Sequence, residues 1–155
     1  MRHFEKLIDL CGLVGTEIAL SEWLSIDQSQ IAKFADATGD HAWIHVDEQR
    51  AADGPFGKTV AHGFLTLSLI PLLAEQAMKI NDVVTGINYG LNRVRFTAPV
   101  PVKSRVRGRF KLKTFEAMPQ RSGHSGAQLV WDIAIEREDT GKPSCLAEFI
   151  VRYYT

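Results

Sequence analysis

Cysteine is scarce in this chain: Cys11 and Cys145 are the only two among 155 residues. Two thiols build no disulfide framework and match no zinc-ligand spacing, so the expectation is a pair of buried or half-buried thiols in a reducing compartment. An excess of charge of one sign is lacking too, because Lys plus Arg and Asp plus Glu both number 18. A neutral chain gives no whole-molecule attraction to nucleic acid or to an anionic membrane, and neither is expected as a partner. Long apolar runs are also missing. The most apolar stretch, 63–73, is too short to span a bilayer and is followed by Glu75 and Lys79. Residues 1–6 show neither the apolar core nor the small-residue cleavage site of a signal peptide. No internal repeat, low-complexity run or linker-like composition shift interrupts the chain. These absences point to a soluble, cytoplasmic protein folded as a single domain over residues 1–155, long enough to bury roughly 70% of its unfolded surface.

The neutral total hides an asymmetry. Residues 83–115 carry eight basic side chains and no acidic one, leaving ten basic against 18 acidic elsewhere. Periodicity changes along the chain as well. Short alternating stretches over 16–26 suit a strand or two. Asp27 then stands as an N-cap with Gln30 three residues on, Ile31, Phe34, Ala35 and Thr38 recur at helical spacing, and Gly39 sits where a C-terminal glycine belongs. A helix over about 28–38 is predicted, and Asp47 is expected to cap a brief one through Ala52. Residues 63–79 are apolar nearly all round in their first half, which marks a helix buried on most sides, about 25 Å long, with a kink or lost hydrogen bond at Pro71. From residue 83 the period becomes two, and strands are predicted over 84–96, 103–115, 127–137 and 144–153. Val102, Val106, Phe110 and Leu112 share one face of the second, while Lys103, Arg105, Arg107, Arg109, Lys111 and Lys113 share the other. Leu129, Trp131, Ile133 and Ile135 share a face of the third. Long strands with one apolar face need a cover, and the 63–79 helix is the obvious one. The expected fold is therefore α+β, an antiparallel sheet wrapped around one long central helix.

The densest polar cluster is Gly39-Asp40-His41-Ala42-Trp43-Ile44-His45-Val46-Asp47, on a loop just after a helix. Asp40 and His45 together offer an acceptor carboxylate and a group that exchanges a proton near neutral pH, although an Asp beside a His is also a common cap or surface pair. His41 competes with His45 and is expected to point away from it. A second cluster, Thr59-Val60-Ala61-His62-Gly63-Phe64, opens the buried helix. The first N–H groups of a helix lack internal acceptors, so the Gly63 N–H could stabilise an oxyanion, or Gly63 could serve only to let the helix pack against a strand. His62 is read as a helix-start residue with a packing role. The six basic residues of the predicted second strand could attract phosphates, or form a solvated outer face paired with Asp132 and Glu136 across the sheet.

The string from Phe34 to Asp47, then Gly54-Pro55-Phe56-Gly57, then Val60-Ala61-His62-Gly63-Phe64 resembles the MaoC-like (R)-specific enoyl-CoA hydratase family, as do Asn88-Tyr89-Gly90, Arg93-Val94-Arg95-Phe96 and Ala98-Pro99-Val100. The resemblance covers about residues 16–153. It implies the hot-dog fold, a curved antiparallel sheet around one long helix, in agreement with the periodicity. It further implies that Asp40 and His45 activate a water that adds to carbon 3 of a trans-2-enoyl thioester, giving an (R)-3-hydroxyacyl-CoA. The Gly63 N–H would then polarise the thioester carbonyl, and Arg93, Arg95, Lys103 and Arg105 are candidates for contacts to CoA phosphates. No cofactor and no metal is implied, the CoA thioester being substrate, and a homodimer is the expected working unit. One departure is that many members have Asn and Pro where this chain has Ala42 and Trp43, a difference expected to tune the pocket. The rival readings are thioester hydrolysis, with Glu75 as the available carboxylate near the helix, and a non-catalytic acyl-thioester binder or partner subunit.

Overall fold

The structure, a computed structural model, describes residues 1–121 and 124–155. Its frame is an antiparallel six-stranded sheet formed by β2 (Glu17–Leu20), β3 (Leu24–Ser25), β5 (Thr85–Phe96), β6 (Arg105–Arg121), β7 (His124–Arg137) and β8 (Pro143–Tyr154). The spatial order is β2-β6-β7-β8-β5, and β3 also pairs with β6. The alternation of apolar and polar residues accounts for this layer, because period two sends every second side chain to one face. Val106, Phe110 and Leu112 on β6 and Leu129, Trp131, Ile133 and Ile135 on β7 are all buried on the face that carries the helices. Register shifts at Asn88/Gly90, Leu91/Arg93 and Leu112/Thr114 interrupt the long ladders, and such bulges bend and twist the strands that carry them.

The central helical cover carries the fault expected near Pro71. It consists of α4 (Gly63–Ser68) and α5 (Ile70–Ala77), interrupted at Leu69. Pro71 explains the interruption: it has no N–H for the Leu67 carbonyl one turn back, and its ring excludes that carbonyl from a regular turn. The break falls two residues before the proline, which then occupies the first turn of α5. The predicted end at Lys79 also shortens, because Met78–Ile80 forms β4, paired in parallel with β1 (Arg2–Phe4). Leu65, Leu69, Ile70, Leu73 and Ala77 pack on the sheet as one core. Where α5 crosses β6, a Cβ on Gly108 would lie 2.8 Å from the Phe110 ring and 3.2 Å from the Leu73 Cβ, so only glycine permits that approach.

Before the central helices come a 3-10 turn (Leu7–Leu13), α1 (Gln28–Thr38), α2 (Trp43–Val46) and α3 (Glu48–Ala52). The Asp27 carboxylate accepts the Gln30 N–H at 2.8 Å and caps α1, and the Asp47 carboxylate accepts the Arg50 N–H at 3.0 Å and caps α3. Two further expectations change. Lys103 lies in a turn before β6, at φ 68°, and not on the strand's basic face. The cysteines also separate: Cys145 is buried and Cys11 is exposed. No helix among the described residues is long and apolar enough to cross a membrane.

Candidate active site

Asp40 and His45 are placed by the ends of two helices. Gly39 closes α1 in the left-handed conformation, its N–H donating to the Ala35 carbonyl at 2.8 Å, and the chain turns directly into Asp40. His45 sits on α2 and is 8% exposed. Its Nδ1 lies 2.6 Å from the Val60 carbonyl oxygen, which can only accept, so the ring donates there and in the neutral imidazole Nε2 carries the lone pair. The surrounding backbone is laced to the same segment. The Val60 N–H donates to the Ile44 carbonyl at 3.0 Å. The Gln28 amide donates to the His45 carbonyl at 2.8 Å and accepts from the Thr59 hydroxyl at 2.6 Å. A short helix of four residues would not hold a side chain's direction alone, and these bonds do it.

His62 completes the cluster. Its ring is 3% exposed and stacks on His45 with centroids 3.7 Å apart and planes 24° from parallel, while Phe34 of α1 packs on it at 5.0 Å. Its Nε2 donates to the Asp40 carbonyl at 2.9 Å and lies 3.9 Å from the Asp40 carboxylate. One carboxylate oxygen of Asp40 and one ring nitrogen each of His45 and His62 all lie within 4.8 Å of one another. Groups that close could approach a cation, but near-parallel rings keep their in-plane lone pairs from converging on one point, and two of the four nitrogens already bond carbonyls. Separations no larger than 4.8 Å are also ones that a single water making hydrogen bonds of about 2.8 Å can bridge.

Gly63 begins α4 directly after His62, and a first-turn N–H has no acceptor within its helix. A Cβ on Gly63 would lie 2.7 Å from the Phe96 ring, so the glycine is also required for α4 to lie against the end of β5. From Phe34 and Phe64 an open groove of about 470 Å³ runs past Leu67 to Pro71, Asn88 and Phe149. The last three also border a more enclosed cavity of about 290 Å³ between α5 and the sheet.

Other sequence-singled residues lie elsewhere. His41 points away from His45 and bonds Asp36 at 2.9 Å on the surface, a contact that holds its imidazole above the usual histidine range. Trp43 stacks under the Arg50 guanidinium at 4.4 Å and packs beside Gly54. Glu75 is exposed on α5 and borders the cavity between that helix and the sheet. Arg105 pairs with Glu138 at 2.9 Å, and Lys103 sits in its turn. Arg93 and Arg95 border an outer groove together with Arg109, Lys111 and Lys113, and form no ion pair among the described residues. Two site residues had no clear sequence signal. Gln28 acts through contacts 17 and 31 residues away, and the ring of His62 reaches Asp40 across 22.

An antiparallel sheet covered by a central helical layer defines the hot-dog fold, and here a carboxylate and two imidazoles gather where that layer begins. Residues 11–128 match the MaoC like domain family, and the chain belongs to that family of dehydratases and hydratases. It is 50% identical over 153 residues to 3-hydroxyacyl-thioester dehydratase Z of Mycobacterium tuberculosis, covering 99% of both chains. It is 45% identical over 150 residues to nodulation protein N of Rhizobium leguminosarum, covering 96% of this chain and 91% of that one. Among solved structures, the R-hydratase PhaJ1 of Pseudomonas aeruginosa superposes with a TM-score of 0.69 at 21% identity, over 92% of this chain and 85% of that one, a likeness of fold.

Proposed function

We propose that the protein is an (R)-specific enoyl-CoA hydratase that reversibly adds water to trans-2-enoyl-CoA to give (R)-3-hydroxyacyl-CoA. The observation that carries this reading is the Asp40–His45 pair, with His45 held by Val60 in the tautomer that leaves Nε2 basic. In the hydration direction Nε2 takes a proton from water while the water oxygen bonds to carbon 3. The alkene electrons move toward carbon 2 and the thioester carbonyl, and the Gly63 N–H stabilises the enolate-like charge there. The proton then returns to carbon 2, Asp40 orienting the water and sharing in the return. Water and thioester supply every atom, so the step needs no metal or redox cofactor.

The thioester carbonyl sits at Gly63 in this reading and the acyl chain follows the groove along α4 toward Pro71 and Phe149. Arg93 and Arg95 are better suited to CoA phosphates than Arg105, which Glu138 already neutralises. A homodimer fits the same picture, because β5 pairs only with β8 among the described residues and carries exposed Ile87, Tyr89 and Leu91. Glu75 borders the cavity between α5 and the sheet and not the Asp40–His45 cluster at the start of α4, which favours hydration over hydrolysis. The name of the mycobacterial relative, a 3-hydroxyacyl-thioester dehydratase, describes the reverse of the same reaction. The test is turnover of crotonyl-CoA and longer enoyl-CoA thioesters, following loss of the enoyl absorbance and release of free thiol in parallel. Hydration without thiol release is expected. Thiol release alone would mean a thioesterase, and no turnover at any length a binder or partner subunit.

A further inference from the structure

We propose that His62 is a positioning residue that fixes Asp40 and His45 relative to each other. Its kinetic consequences rest on the hydratase reading above, whereas its geometry does not. His62 is the residue before α4, and its ring reaches three separate segments: Phe34 in α1, the Asp40 main chain, and the His45 ring in α2. Because Nε2 donates to the Asp40 carbonyl, Nδ1 is left as an acceptor, and this atom is buried with no hydrogen-bond partner. A buried orphan acceptor is destabilising. A phenyl ring would fill the same space between His45 and Phe34 without that penalty. It would lack the Nε2–H donor to the Asp40 carbonyl and the ring nitrogen 3.9 Å from the Asp40 carboxylate.

That donor has a specific task. Asp40 follows a left-handed helix stop and precedes α2 without belonging to either element, and its carboxylate is mostly exposed. Nearby bonds are local: His41 N–H to the Gly39 carbonyl at 3.2 Å and Ala42 N–H to the Asp40 carboxylate at 3.4 Å. Among the described residues, the His62 bond is the one that links the Asp40 main chain to another element. The stack meanwhile restricts rotation of the His45 plane. One side chain thus sets both members of the pair against the start of α4, where Gly63 follows directly in the chain. A misplacement of about 1 Å in such a constellation costs on the order of 10²-fold in rate.

The experiment compares His62→Phe, which keeps the ring and loses the donor, with His62→Gln, which keeps an N–H able to reach the same carbonyl. For His62→Phe the expected result is a kcat on enoyl-CoA lower by roughly 10- to 100-fold with KM little changed and a melting temperature at or above wild type. His62→Gln is expected to recover most of that kcat. A purely structural residue would instead lose activity in step with stability. Wild-type kcat in His62→Phe, or a His62→Gln variant as slow as His62→Phe, would overturn the proposal. Amide hydrogen exchange over residues 39–45 is measured on the same proteins and does not depend on substrate. Faster exchange in His62→Phe than in wild type or His62→Gln supports the clamp, and unchanged exchange overturns it. If wild type turns over no enoyl thioester, the hydratase reading fails while this arm still decides the role of His62.

Discussion

The outer face of β6 and the Asp40–His45–His62 cluster both concentrate polar side chains, yet one cancels its charge and the other keeps its groups available. On β6 the basic residues meet carboxylates from neighbouring strands. Arg107 and Arg109 share Glu136 at 3.0 and 2.8 Å, Arg109 also reaches Glu17 at 2.8 Å, and Lys113 pairs with Glu148 at 2.5 Å. The two arginines, Arg109 foremost, hold the Glu136 carboxyl below its ordinary range, and Lys113 with Asn92 does the same to Glu148. In the cluster, by contrast, the hydrogen bonds run from imidazole to backbone carbonyl, which orients His45 and His62 without neutralising anything. Charge density is therefore a poor guide to chemistry here. Burial combined with anchoring by backbone acceptors is the better one, because it fixes the direction of each ring.

The comparison breaks most visibly at the pair itself. Asp40→Asn and His45→Ala are each expected to lower turnover by roughly 10²- to 10⁴-fold, read by steady-state kinetics on enoyl-CoA. Asp40→Asn leaves the melting temperature near wild type because its carboxylate is largely exposed, whereas His45→Ala removes the donor to the Val60 carbonyl and costs about 1–3 kcal/mol. Full activity in either variant would put the chemistry elsewhere.

A smaller effect, on stability and not on rate, is expected on the sheet. Arg109→Ala should leave kcat essentially unchanged and lower stability at neutral pH by about 1 kcal/mol, since the ion-pair network is partly solvent-screened. Glu136 is lowered in the folded state, so its contribution is present above the unfolded carboxylate pKa and disappears as pH falls through the depressed folded value. Denaturant melts of wild type and Arg109→Ala should therefore converge on the acid side. A difference that persists unchanged through that range would show that the arginine stabilises by packing alone.

The smallest contrast concerns the two thiols. Burial pushes the Cys145 thiol up to about 11, while Cys11 is exposed. Alkylation of the native protein at neutral pH should add one adduct, at Cys11, without loss of activity, and mass spectrometry of the digest checks it. Rapid labelling of Cys145 in the folded protein would mean that the sheet around it opens.

Much of the architecture was legible locally. The strand period, the Asp27 and Asp47 caps and the Gly39 stop each depend on residues a few positions apart, and each appears where expected. Pro71 announced the fault in the central helix that falls at Leu69, whereas the loss of Met78–Ile80 to a strand depended on Arg2–Phe4 some 76 residues earlier. Lys103 kept the strand's alternation in sequence and lost it in space, because the chain turns there to deliver its N–H to the Ile26 carbonyl at 2.7 Å. His62 was visible as a residue, though not as a neighbour of His45, since stacking between helix starts leaves no periodic trace.

The sequence by itself determined the period of each element, the helix caps and the presence of an Asp/His pair near a glycine-led helix, because these follow from backbone preference and side-chain spacing over a few residues. The tertiary structure alone decided which nitrogen of His45 stays basic, which histidine stands beside it, and which basic residues are spent on carboxylates. Those outcomes depend on donors and acceptors brought together from distant segments when the helices close onto the sheet, and no local rule can select among them.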